Sequence, residues 1–100
     1  MEFIEVTSFI NSKEGLLNDD ELLELQKSLL LNPEQGDIIP RGKGLRKIRW
    51  KGCGRGKRGG IRVIYYWIKE DEIIFLLVAY AKNKKEDLTS DQIKQLINLL

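Results

Sequence analysis

The chain is 100 residues long, 42% hydrophobic and 32% charged, with a net charge of +2. That is one domain, residues 1–100, with too much apolar content for disorder. It contains no histidine and one cysteine, Cys53, which removes His-based triads, imidazole proton relays, His-ligated metal sites and any internal disulfide.

The opening Met1-Glu2-Phe3-Ile4-Glu5 is acidic where a secretory signal is basic. No stretch approaches the roughly 18 uninterrupted apolar residues that a membrane span needs. A cytoplasmic protein with no membrane association and no cofactor is therefore expected. Phe3, Ile4 and Val6, interspersed with Glu2 and Glu5, predict a short first strand. Thr7 or Ser8 is placed to cap a brief helix carrying Phe9 and Ile10, ending near Gly15. Asn18 with Glu21 has the spacing of a capping box. Leu22, Leu25 and Leu29 then recur at helical spacing, with Leu23 and Leu30 widening the stripe, until Asn32-Pro33 stops the helix.

Residues 33–44 read as an irregular connection. From Leu45 to Trp50 two kinds of side chain alternate: Arg46, Ile48 and Trp50 share one face, and Leu45, Lys47 and Arg49 the other. Residues 51–60 form a glycine-rich basic loop; seven of the nine glycines fall between Gly42 and Gly60. Ile61–Ile68 is a branched and aromatic strand, Lys69–Glu72 a polar hairpin turn, and Ile73–Tyr80 a strand apolar on both faces, hence interior. Thr89 with Gln92 is a second capping box, opening an amphipathic helix on Ile93, Leu96, Ile97 and Leu100. The order β-α-α-β-β-β-α is an α+β pattern. Its core is expected where the Leu22–Leu30 helix crosses a mainly antiparallel sheet.

Charge is segregated along this frame. Residues 1–40 carry nine acids and two bases, net -7; residues 41–68 carry ten bases and no acid; residues 69–100 are net -1. Ten like charges repel unless an anion meets them, and nucleic-acid phosphate is the usual candidate. Lys47 and Arg49 project from one strand face, and Arg62 opens the next strand beyond Arg55, Lys57 and Arg58. Lys82, Lys84 and Lys85 follow Tyr80. Paired as a meander, these bases gather on one concave patch with a salt-sensitive grip on a phosphate chain. Trp50, Tyr65, Tyr66, Trp67 and Tyr80 either stack on bases or pack in the core.

Cleavage of RNA by its own 2′-OH needs a proton removed, a phosphorane stabilised and a leaving oxygen protonated. Without histidine the proton transfers fall to lysine, tyrosine or the substrate's own surroundings, and arginine suits the phosphorane. Arg62, a charge inside an apolar strand, requires a partner: either substrate phosphate or an acid such as Asp87. Cys53 lies among cations that lower a thiol pKa, but with no histidine or second cysteine it reads as a bystander.

Gly44-Leu45-Arg46-Lys47-Ile48-Arg49, then Gly56-Lys57-Arg58-Gly59-Gly60-Ile61-Arg62-Val63-Ile64-Tyr65-Tyr66, then Tyr80-Ala81-Lys82-Asn83 and Asp87-Leu88-Thr89 resemble the RelE/ParE superfamily of toxins, in its HigB-like branch. The resemblance runs over about residues 3–100, with its specific part at 44–89. It implies a RelE-like fold and a toxin of a type II toxin–antitoxin pair that cleaves mRNA in the ribosomal A site without a metal. By position it implies catalytic roles for Arg62, Lys47, Arg49 and Lys82; the remaining patch residues Arg46, Lys57, Arg58, Lys84, Lys85 and Tyr80 are expected to bind RNA. It implies as partners a cognate antitoxin, HigA-like with a helix-turn-helix domain, and the 70S ribosome with its mRNA. Asn83 stands where RelE has an arginine and Thr89 where RelE has a tyrosine, so the general base has no assigned residue. Two other functions fit the same pattern: a ParE-like inhibitor of DNA gyrase, and a non-catalytic module that binds RNA or antitoxin.

Overall fold

The computed structural model describes residues 1–51, 60–82 and 87–100. Its elements are β1 (Glu2–Glu5), α1 (Thr7–Lys13), α2 (Asp19–Leu31), β2 (Asp37–Ile38), β3 (Arg46–Trp50), β4 (Ile61–Ile68), β5 (Ile73–Ala81) and α3 (Ser90–Asn98). The five strands form one sheet in the order β1-β5-β4-β3-β2. Only β1 pairs in parallel, with β5; the other neighbours are antiparallel. The architecture is α+β, as the element pattern predicts, with β2 added to the expected order.

Both predicted capping boxes form. The Asn18 side chain accepts from the Glu21 N–H at 2.8 Å while Glu21 accepts from the Asn18 N–H at 2.9 Å. Thr89 and Gln92 repeat this reciprocal pair at the start of α3. Asp19, Asp20 and Glu21 also place negative charge against the positive end of the α2 dipole. By contrast, neither Thr7 nor Ser8 caps α1: the cap position falls on Val6 and has no side-chain bond. The hydroxyl of Ser8 donates instead to the Leu77 carbonyl, and that of Ser12 accepts from the Ala79 N–H, so α1 is stitched to β5.

Two apolar clusters sandwich the sheet. One joins Phe9, Leu22, Leu25 and Leu29 to Ile48, Ile61, Val63 and Tyr65; the other joins Leu45, Ile64, Leu77 and Tyr80 to Leu96 of α3. The stripe on α2 is narrower than expected. Leu23 and Leu30 are 49% and 52% exposed, because Leu22, Leu25 and Leu29 fill the contact and a residue one step along lies about 100° around the helix. Ile10 and Leu100 are likewise exposed rather than part of their helices' buried faces.

The stretch expected to be irregular holds β2, whose Asp37 and Ile38 pair with Lys47 and Arg46. Two residues are too few to show a period in sequence, and the order here comes from elsewhere. The Tyr65 hydroxyl donates to the Pro33 carbonyl at 2.7 Å and accepts from the Gly36 N–H at 2.9 Å. Arg46 Nη1 donates to the carbonyls of Glu34 and Gly36, each at 2.9 Å. A Cβ on Gly36 would stand 2.7 Å from the Tyr65 ring, so this approach requires glycine. Burial pushes the Tyr65 hydroxyl above the ordinary tyrosine pKa, which keeps it a neutral donor.

Replacing Tyr65 by Phe removes both bonds and leaves a buried N–H and a part-buried C=O without these partners. The expected loss is about 1–3 kcal/mol, read by chemical denaturation, with faster hydrogen exchange at the Gly36 amide. Unchanged stability and exchange would show that residues 33–38 are held by something else.

Candidate nucleic-acid interface

Strand alternation and register build the site. Ile61, Val63 and Tyr65 of β4 face α2, so Arg62 and Ile64 between them face the α3 side. Arg62 pairs directly with Arg49 on β3 and with Tyr80 on β5, and Lys47 pairs with Ile64 one rung along. Directly paired residues share a sheet face. Lys47, Arg49, Arg62 and Tyr80 are thus brought together on one surface, with Lys47 and Arg49 about 6.6 Å apart along their strand. Gly60 opens β4 at φ +65°, its backbone tight against the Trp50 carbonyl where no Cβ fits.

Arg62 is 5% exposed and Tyr80 9%. Arg62 Nε and the Tyr80 hydroxyl are buried with no hydrogen-bond partner among the described residues. Buried polar atoms in native structures are nearly all satisfied, and a cation without a partner is the costlier case. Burial, first, and the nearby charge of Asp87, second, push the Tyr80 hydroxyl above its ordinary pKa, against the opposing pull of Arg62. Beside them lies a cleft of about 290 Å³, with Asp37 to Pro40 on one wall, Lys47 and Ile64 on its floor, and Tyr80, Asp87 and Leu88 opposite.

Asp87 enters this cleft because Leu88 and Ile93, at the start of the C-terminal segment, pack on the second cluster. Lys47 Nζ donates to Asp87 Oδ1 at 2.6 Å. That hydrogen bond, with the charges of Lys47 and Arg62, holds the Asp87 carboxyl below the ordinary aspartate pKa, outweighing the opposing effect of burial. The acid considered as a partner for Arg62 therefore bonds Lys47 instead and reaches Arg62 only through space. Sequence reasoning missed Asp37 as a cleft residue, since its segment carries no periodic signal.

Other expected residues separate. Arg46 stands on the opposite sheet face from Lys47, its guanidinium tied to the 34–36 carbonyls and not in the cleft. Lys82 lies just past β5, where its N–H donates to the Gly60 carbonyl, at the Arg62 end of the sheet. Tyr65 is fully buried, and Trp50 and Trp67 pack against the first cluster. Lys57, Arg58, Lys84, Lys85 and Cys53 lie outside the described residues. Arg49, Trp50 and Lys51 also border a separate groove of about 530 Å³ facing Asp20, Glu21 and Glu24 of α2. Among the described residues no helix is long and apolar enough to cross a membrane.

A small α+β domain whose one sheet presents a row of cations beside its C-terminal helix is the class of protein defined here. The family model described as the RelE toxin of the RelE / RelB toxin–antitoxin system matches residues 9–99. The chain belongs to the RelE toxin family. Its fold is similar to that of E. coli toxin RelE, solved as a double arginine-to-alanine mutant in the free state. The two share 14% identity and a TM-score of 0.60 over 97% of this chain and 93% of that one.

The Asp87 carboxyl titrates below an ordinary aspartate in the folded chain. Its pair with Lys47 therefore favours folding at neutral pH, and that contribution is lost as pH falls through the folded-state value. Carbon-detected NMR titration is expected to give the low midpoint, and Lys47→Met to move it upward. A midpoint indifferent to Lys47 would mean that the ion pair does not persist in solution.

Proposed function

We propose that this toxin is a ribosome-dependent endoribonuclease that cleaves mRNA in the A site through attack of a 2′-OH on the adjacent phosphate. The observation that carries the reading is Arg62: a buried guanidinium with Nε lacking a partner among the described residues, in register between Arg49 and Tyr80. Such a group is set to receive an anion in a place where water does not weaken the contact. Arg62 stabilises the phosphorane, Lys47 and Arg49 hold flanking phosphate charge, and Lys82 extends this line at the end of β5. Tyr80 offers its neutral hydroxyl as a donor within the same cleft. Lys57, Arg58, Lys84 and Lys85, by their charge in the sequence, add to the grip on the RNA backbone. Arg46 acts through the 34–36 loop that it secures, rather than by touching RNA. With a 2′-OH as nucleophile the reaction requires no metal, and the ribosome supplies the substrate's placement.

The partners follow from the same reading: the 70S ribosome with its mRNA, and a cognate antitoxin, HigA-like in keeping with a HigB-like toxin, that covers the basic face or blocks its entry. Its place of action is the cytoplasm.

Primer extension on a defined mRNA, with and without programmed ribosomes, tests the reading. Cuts at the A-site codon that require ribosomes are expected. Arg62→Met, which fills the buried space without the charge, should slow them by about 10²–10³ without lowering the melting temperature below that of the natural chain. Cuts that persist in a folded Arg62→Met protein would move the chemistry to Lys47, Arg49 or Lys82. Absence of any cut would end the nuclease reading and make DNA gyrase the next target to assay.

A further inference from the structure

Asp87 has the wrong charge for a surface that meets RNA. It is held there by Lys47 at 2.6 Å and faces the end of the cleft that Tyr80 also lines. Its carboxylate presents to Lys47 the same acceptor that a phosphate oxygen would. The side chain is 69% exposed while that of Lys47 is 27% exposed. Asp87 can therefore turn away into water without stranding a charge, whereas Lys47 stays on the floor of the cleft. The loop position supports this asymmetry, since Asp87 precedes the Thr89 cap of α3 and is not itself part of a helix or strand.

We propose, resting on the reading of the cleft as a phosphate site, that Asp87 is an internal competitor for RNA: it occupies the Lys47 position in place of a phosphate and is displaced when RNA enters. Two consequences follow. Free RNA, which arrives at low local concentration, must break the Lys47–Asp87 pair and approach a nearby negative charge. RNA already held in place by a larger assembly meets the same cost at high effective concentration, and so engages. The exposed acid thereby favours presented RNA over stray RNA. The cleft needs no moving lid for this discrimination, only one side-chain rotation.

The test is binding of an uncleavable six-nucleotide 2′-O-methyl RNA to the full chain, followed by fluorescence anisotropy across a salt series. Asp87→Asn should bind about two- to fivefold more tightly at low salt, the range expected for freeing one exposed ion pair. Its log–log salt slope should steepen by about 0.7, as for one further phosphate contact on a single strand. The gain should vanish in a Lys47→Met background. Asp71→Asn, which changes net charge equally in the β4–β5 turn, should show no comparable gain. Equal or weaker binding by Asp87→Asn would overturn the competitor role, as would a gain that survives without Lys47 or is matched by Asp71→Asn. If the natural chain and all variants bind this RNA without salt sensitivity, the phosphate-cleft reading fails and takes the competitor with it. That result is distinct from salt-sensitive binding that Asp87→Asn leaves unchanged.

Discussion

The site rests on a guanidinium held inside a β-sheet. Arg62 is flanked in sequence by Ile61 and Val63, both fully buried, and is nearly so itself. Taking such an ion from water costs several kcal/mol unless its bonds are replaced. Register makes matters worse, for Arg62 lies directly across from Arg49, and like charges opposite one another weaken a strand pair. An apolar residue at position 62 would give a more stable sheet. The fold tolerates the arginine because the strands around it are fixed by apolar contacts, β5 on both faces and β3 through Ile48 and Trp50 on the α2 face. The cation is therefore presented by a frame that does not depend on it.

That frame has a division of labour between its faces. On the α2 side, Tyr65 and Arg46 use their polar ends to fasten residues 33–36, and so set where β2 and the segment up to Pro40 lie. On the α3 side, that same segment is one wall of the cleft beside Lys47. A tyrosine and an arginine that never enter the cleft thus shape it through a two-residue strand. The opposite wall is set independently, by Leu88 and Ile93 packing on the second cluster and bringing Asp87 with them.

How much of this the sequence makes legible follows from the range of each interaction. Capping boxes close over three residues, helix stripes over three or four and strand faces over two. Asn18 with Glu21, Thr89 with Gln92, and the alternation of Lys47 with Ile48 are therefore all readable from local spacing. The grouping of Lys47, Arg49 and Arg62 needs only the assumption of a meander. The bonds that order β2 join Tyr65 to residues 29 and 32 positions away, and Lys47 meets Asp87 across 40. Ser8 reaches Leu77 across 69. Local pattern carries no trace of such pairs. Leu23 and Leu30 depart from expectation for a related reason: the width of an apolar stripe is set by the surface it meets, and an apolar side chain outside that contact simply remains exposed.

The separation of charge has two physical roles rather than one. The acids of the first forty residues are not merely a counterweight to the basic segment. Asp19, Asp20 and Glu21 stabilise the start of α2, and Glu5 pairs with Lys13 at 2.6 Å beside α1. These four are thus tied to local structure on or near the α2 side of the sheet. Asp87 alone among the described acids is bonded to a base of the cation row. An acid in that position does little for an exposed ion pair's stability, but it changes what the neighbouring lysine offers to an incoming anion. With the neighbouring Arg62 already fixed by burial, that outer pair is the part of the electrostatics left free to respond to a ligand.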